Sequence, residues 1–208
     1  MKTIFITGNG TDIGKTIISA IITEHLEADY WKPVQSGELD NTDTMKVKSL
    51  VSNSKTVFHP EQFKLVQPLS PHASAEIDGV EIELEDFKLP STTNHLVIEG
   101  AGGLMVPLNN KVLIADLITH FKSSVIVVSR NYLGSINHTL LTIQELRNRN
   151  IPIIGIVFNG EHNPQTENFI LQYTQLPLLF RVEMEEQIDK QTILKYSRHI
   201  IRYKKDIF

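Results

Sequence analysis

The chain has 208 residues, the length of one domain, and its 41% hydrophobic and 21% charged content excludes disordered, collagen-like and coiled-coil classes. Its net charge of −4 lacks the basic surplus of a nucleic-acid binder, and its lack of cysteine excludes disulfides, zinc–thiolate sites, iron–sulfur clusters and a thiol nucleophile. No apolar run approaches the ~18 residues of a membrane span and residues 1–8 show no secretory pattern, so we expect a single-domain cytoplasmic protein (residues 1–208) with no membrane and no nucleic-acid partner.

Residues 2–7 are β-branched and continuously apolar at their centre, the pattern of a strand buried on both faces. Gly8 to Gly14 is a glycine-rich turn. From residue 13 to 26, Ile13, Ile17, Ile18, Ile21, Ile22 and Leu26 fit a largely buried helix. Residues 30–34 predict a second strand, with Pro33 marking its exit, and residues 44–52 a short helix after a polar turn. Residues 53–75 read as a long proline-bearing loop, the kind of segment that carries function or forms a lid. Residues 80–87 read as a short acidic helix. Residues 95–99, 124–129, 152–159 and 176–182 read as further strands, and residues 135–149 as a helix. This alternation predicts an α/β fold with a doubly wound, mostly parallel sheet flanked by helices. The eight histidines form no metal-spaced pair and read as structural or surface. The basic tail, residues 196–205, reads as a solvated helix face or chain end.

The strongest local signal is Gly8-Asn9-Gly10-Thr11-Asp12-Ile13-Gly14-Lys15-Thr16. Phosphate binding needs glycines that let backbone N–H groups approach and a helix N-terminus behind them. It also needs a lysine for the β/γ oxygens and a hydroxyl for Mg²⁺. All four are present between a predicted strand and a predicted helix. Five residues separate Gly8 from Gly14 where four are usual, and Asn9 stands where the first glycine would be. A plain glycine turn is the alternative reading.

Two further clusters sit at predicted carboxyl ends of strands, where open α/β sheets bind ligands. Glu99-Gly100-Ala101-Gly102-Gly103 offers a carboxylate for Mg²⁺ and small residues that admit a phosphate. Lys32-Pro33-Val34-Gln35-Ser36-Gly37, followed by Asp43, offers a second cation against anionic groups. A solvated glutamate, a surface lysine and a helix-terminal aspartate are the bland alternatives.

These blocks, with Leu133-Gly134-Ser135-Ile136-Asn137-His138 and Ser70-Pro71-His72, resemble the dethiobiotin synthetase family, ATP-dependent enzymes of biotin biosynthesis within the P-loop NTPases. The resemblance spans residues 1 to about 160. It implies that 7,8-diaminopelargonate, CO₂ and Mg-ATP give dethiobiotin, ADP and phosphate through a carbamate and a phosphorylated carbamate. Lys15 would contact the β/γ-phosphates and carbamate, Lys32 would stabilise the transferring phosphoryl group, and Thr11 would sit beside the reacting groups. Asp12, Ile13, Gly14, Lys15, Thr16 and Ile17 would bind the nucleotide with Asp43, Glu99, Gly100, Ala101 and Gly102, and Asn159 would read the adenine. Thr16, Asp43 and Glu99 would surround Mg²⁺. Ser36, Gly134, Ser135 and Asn137 would bind the substrate, in a homodimer whose site the partner completes.

Three departures from the family pattern stand out. Asp12 replaces a glutamate, Gly160 follows Asn159 where an acid is frequent, and Phe180-Arg181-Val182-Glu183 replaces Gly-x-Ile-Pro. The competing readings are a P-loop amide-forming synthetase, a nucleotide-binding scaffold without catalysis, and a switch ATPase that partitions DNA or positions septa. The switch proteins carry a second lysine early in the loop, where this chain has Gly10.

Overall fold

The computed structural model describes residues 2–200. Its centre is β1 (Thr3–Gly8), whose side chains alternate between two buried layers. Ile4 and Ile6 enter one layer and Phe5 the other. Such a strand cannot show polar alternation, which explains its continuous apolar run. Parallel neighbours flank it: β6 (Leu96–Glu99) on one side and β7 (Ser124–Arg130) on the other.

Beyond β6 lie β2 (Asp29–Trp31) and β4 (Phe58–His59); beyond β7 lie β8 (Ile153–Asn159) and β9 (Leu178–Val182). The seven-stranded order is β4-β2-β6-β1-β7-β8-β9, and every pairing is parallel. The chain leaves β1 toward one edge and leaves β6 toward the other. The crevice outside the carboxyl ends of β6, β1 and β7 is therefore a topological switch point.

Helices cover both faces. α1 (Lys15–Leu26), α2 (Asp43–Leu50) and α7 (Lys190–Ile200) pack on the layer of Ile4, Ile6 and Val97. α4 (Ile114–His120), α5 (Ser135–Asn148) and α6 (Pro164–Thr174) pack on the layer of Phe5 and Ile98. Each fully buried Ile or Phe of these layers contributes about 1.5–3 kcal/mol. No helix among the described residues is long and apolar enough to cross a membrane.

Several expectations need correction. The strand expected over residues 30–34 ends at Trp31, because Pro33 has no N–H for a ladder. The chain then starts β3 (Val34–Ser36), which pairs in parallel with β5 (Phe63–Leu65) in a separate two-stranded sheet. The long loop thus holds β4, β5 and the start of α3 (Pro71–Asp78). The acidic helix is only a 3₁₀ turn, Leu84–Asp86. Of the basic tail, Arg198 is exposed on α7 as expected, while Tyr196 and Ile200 of the same helix, with Ile193, are buried against α1. Arg202, Lys204 and Lys205 lie outside the described residues.

Candidate active site

The loop between β1 and α1 is fixed from outside. A Cβ on Gly8 would stand 2.2 Å from the Val128 carbonyl oxygen, so only glycine lets the loop leave between β1 and β7. Asn9 explains its own departure from glycine. Its amide is buried and donates to Thr139 Oγ1 at 3.1 Å, and to Ser129 Oγ and the Arg130 carbonyl at 3.4 Å. It ties the loop to β7 and α5.

Besides Asn9, whose carbonyl accepts from the Tyr132 hydroxyl, three loop carbonyls accept from side chains. Lys15 Nζ donates to Gly10 at 2.7 Å, Arg130 Nη1 to Asp12 at 3.0 Å and Asn159 Nδ2 to Ile13 at 2.8 Å. Among the described residues, none accepts a hydrogen bond from the backbone N–H groups of Gly10 to Gly14. With the free N–H groups of the first α1 turn behind them, they form a donor cradle suited to a polyphosphate. Gly14, at φ +92°, caps α1 in the left-handed region, and a Cβ there would strike Asn159 Nδ2 at 2.2 Å.

Beside the cradle, one hydroxyl and three charged side chains converge. Thr16 sits in the first turn of α1, Lys32 just past β2, Asp43 at the start of α2, and Glu99 at the end of β6. Glu99 Oε1 accepts from Thr16 Oγ1 at 2.9 Å and from Lys32 Nζ at 3.1 Å; Oε2 accepts from the Tyr30 hydroxyl at 2.8 Å. Lys32 Nζ also pairs with Asp43 Oδ2 at 2.5 Å. Asp43 is held in turn: its N–H donates to Gln35 Oε1 at 3.1 Å, and Lys46 Nζ lies 3.6 Å from its Oδ1. Thr42 caps α2 by accepting from the Met45 N–H at 3.3 Å.

Burial sets the electrostatics. Burial, then the repulsion of Lys32, lowers the Lys15 ammonium to about 8, although Glu99, Asp43 and Asp12 pull upward. Burial also pulls Lys32 down, but Glu99 and Asp43 outweigh it and hold its pKa above the ordinary lysine value. Burial pushes Asp43 up, yet Lys32 brings it below the usual aspartate range. Burial and the neighbouring Glu99 push the Tyr30 hydroxyl well above its ordinary value, so it stays a donor. A site with two lysines and an open N–H cradle can take a polyphosphate and stabilise charge that develops during transfer.

The structure therefore brings together Lys15, Thr16, Lys32, Asp43 and Glu99, and joins Ile13 to Asn159. Asp12 takes φ +56° and Ile17 packs beside the α1 layer. Gly100, Ala101 and Gly102 follow Glu99, and a Cβ on Gly100 would crowd Phe5 Cε1 at 2.7 Å. Thr11 is exposed in the loop. Ser36, Gly134, Ser135 and Asn137 stand outside the contact network: Ser36 closes β3, Gly134 caps α5 at φ +104°, and Ser135 and Asn137 begin that helix. The hydroxyls of Ser36 and Ser135 are buried and find no partner among the described residues. Tyr132 links the α5 start to the loop: its hydroxyl donates to the Asn9 carbonyl (3.3 Å) and in that arrangement accepts from His138 Nδ1 (2.8 Å).

Sequence reasoning missed Tyr30, Asn9 and Gln35. Tyr30 had one usable signal: it lies two residues before Lys32, and side chains of a strand repeat every two residues. It missed Arg181 too. That guanidinium grips Glu167 with Nη2 at 2.7 Å and Nε at 3.2 Å, and donates to the Gly160 carbonyl at 3.0 Å. The departing segment thus pins the turn after Asn159.

Among the described residues, no three His, Cys, Asp or Glu side chains cluster as a metal site. The hydroxyl of Thr16 and the carboxylates of Asp43 and Glu99 are hard oxygen donors. They fit an ion that takes one or two carboxylates and fills its shell with phosphate oxygens and water.

Residues 2–192 match the family described as an AAA domain. The chain is 52% identical over 196 residues to the ATP-dependent dethiobiotin synthetase BioD of Christiangramia forsetii, covering 94% of each. It is 52% identical to that of Cytophaga hutchinsonii over 198 residues (95% and 96% covered) and 44% identical to that of Brucella ovis over 190 (91% and 90%). The chain belongs to the dethiobiotin synthetase family. It is an ATP-dependent ligase that forms carbon–nitrogen bonds in biotin biosynthesis. Similar solved structures include the MinC:MinD cell division complex of Aquifex aeolicus (TM-score 0.58, 11% identity, 98% and 97% covered). The septum site-determining protein MinD of Pyrococcus horikoshii gives TM-score 0.57 at 12% identity, with 97% and 96% covered. These identities show a shared P-loop fold alone, so the switch-ATPase reading gains the fold and nothing more.

Proposed function

We propose that this single domain closes the cyclic urea of dethiobiotin from 7,8-diaminopelargonate, CO₂ and ATP, and that the cluster around Glu99 is where the phosphoryl group moves. One amine of the substrate adds to CO₂ and loses a proton, giving a carbamate. A carbamate oxygen takes the γ-phosphoryl group and ADP leaves. The second amine attacks the carbamate carbon, phosphate departs and a second proton is lost. Each species is anionic, and the convergence of Lys15, Lys32, Thr16, Asp43 and Glu99 carries the reading.

Lys15 and the 10–14 cradle hold the β/γ-phosphates, with Thr11, Asp12, Ile13, Gly14, Thr16 and Ile17 around the nucleotide and Gly100, Ala101 and Gly102 admitting the γ end. Lys32, fixed between Glu99 and Asp43, faces the carbamate and the transferring group. Thr16, Asp43 and Glu99 would hold Mg²⁺, which when bound neutralises charge on the phosphates. Asn159 spends one amide N–H on Ile13 and keeps its second N–H and its carbonyl for the adenine edge. Ser36 and, from the partner of a homodimer, Gly134, Ser135 and Asn137 receive the substrate. The hydroxyls of Ser36 and Ser135, which have no partner among the described residues, and the exposed Leu133 beside the α5 start support that placement.

ADP release from Mg-ATP and bicarbonate, with and without the diamine, tests this reading. Strict dependence on the diamine with dethiobiotin formed is expected. Hydrolysis indifferent to the diamine would overturn it.

A further inference from the structure

Glu99 is almost wholly buried, and both of its oxygens are engaged. Two of its donors, Thr16 and Lys32, meet Oε1 and belong to the proposed phosphoryl-transfer site. The third does not. Tyr30 is a core residue of β2, fully buried, with its ring among Ile4, Ile6, Val97 and the α1 side chains and its centroid 6.2 Å from that of Phe58. Its register explains its reach. Tyr30 pairs with Val97, and Glu99 lies two residues further along β6 on the same face. Diagonal neighbours of this kind are within reach of an aromatic side chain. The hydroxyl thus crosses from the apolar layer to the site and donates to Glu99 Oε2 at 2.8 Å.

A carboxylate with donors on both oxygens resists turning about its terminal bond, and Tyr30 is the donor on Oε2. A buried neutral donor to an anion adds a directional bond without adding charge, whereas a lysine at the same point would compete for the metal. A phenylalanine would fill the same core volume, so packing alone does not call for the hydroxyl.

We propose that Tyr30 is a positioning residue: by holding Glu99 Oε2 it fixes the carboxylate plane so that Oε1 is presented to Thr16, Lys32 and the Mg-nucleotide. Tyr30 touches neither nucleotide nor substrate; it acts through Glu99. The inference rests on Glu99 being a carboxylate of the magnesium site, as proposed above.

The test uses the full chain and titration calorimetry with the non-hydrolysable β,γ-imido analogue of ATP, once with Mg²⁺ and once in EDTA. Tyr30→Phe, Glu99→Gln and the double variant are compared with the parent. Tyr30→Phe is expected to weaken binding about tenfold or more with Mg²⁺, the scale of losing a partner that orients a metal ligand, and to leave metal-free binding unchanged. In the Glu99→Gln background the same substitution should add little, because the partner it positions has lost its charge. In turnover, the half-saturating Mg²⁺ concentration should rise while KM for the diamine stays put, a split that a merely loosened core would not produce.

Equal weakening with and without Mg²⁺, or additive effects in the double variant, would overturn the role of Tyr30. If Glu99→Gln alone leaves Mg-dependent binding intact, the metal reading of Glu99 falls and the inference falls with it. If Glu99→Gln weakens binding and Tyr30→Phe does not, only the inference falls.

Discussion

Lys32→Met isolates the electrostatic core of the site. In the parent, one ammonium stands 3.1 Å from Glu99 Oε1 and 2.5 Å from Asp43 Oδ2. Its removal leaves two carboxylates facing each other without their shared cation. Breaking a buried pair from one side costs about 3–5 kcal/mol. Glu99 keeps the Thr16 and Tyr30 donors, and Asp43 is 19% exposed and keeps Lys46, so the lower end applies, about 3 kcal/mol. For a domain of this size that is a fall in melting temperature of about 6–12 °C. Thermal and denaturant unfolding measure it directly. Adding Glu99→Gln should restore more than half of the loss, because the orphaned charge goes with it. Turnover should fall by orders of magnitude, with nucleotide affinity kept within about tenfold, or 1.4 kcal/mol. A single variant within about 1 kcal/mol of the parent, or a double variant no better than the single, would refute the claim that Lys32 is the counter-ion shared by Glu99 and Asp43.

Other outcomes follow from the same geometry. Lys15 in the free protein titrates near 8, and bound phosphates will raise that value, so the complex holds a proton that the free protein loses above pH 8. ATP binding should therefore take up a proton and weaken as pH rises through 8 to about 10, toward tenfold per pH unit; calorimetry in two buffers of unlike ionisation heat would expose proton release or no linkage as contrary results. Gly14→Ala puts a methyl on Asn159 Nδ2 at φ +92°, and should cost at least about 1–2 kcal/mol and most nucleotide affinity; parental ATP binding would contradict it. Asn159→Ala should weaken ATP more than inorganic triphosphate, and equal weakening would remove Asn159 from base reading. Arg181→Gln should loosen the turn at Gly160 and raise KM for ATP with little change in kcat; a selective loss of kcat would place Arg181 elsewhere.

The parallel sheet was legible because β1, β6, β7 and β8 are buried on both faces and read as apolar runs. The loop was legible because phosphate chemistry restricts residue types locally. Glu99 was legible as the end of an apolar strand, whereas Lys32 falls one residue past β2, whose end the expected strand had overrun. The rest depended on contacts distant in sequence. β3 and β5 have three residues each and exist only because Val34 meets Phe63. α7 looks polar because only one narrow face, Ile193, Tyr196 and Ile200, meets α1. Tyr30 reads as an ordinary strand aromatic until its hydroxyl meets a carboxylate 69 residues away. Arg181 reads as a departure until it is seen gripping Glu167.

The most direct test of phosphoryl transfer to a carbamate follows oxygen. With C¹⁸O₂, unlabelled ATP and the diamine, both carbamate oxygens begin labelled. The oxygen that takes the γ-phosphoryl group leaves with it, so the phosphate released should carry one ¹⁸O for each dethiobiotin formed, with the second retained in the urea carbonyl. Unlabelled phosphate alongside dethiobiotin would show that the carbamate never receives the phosphoryl group, and the role given to the Lys15–Lys32–Glu99 cluster would be wrong.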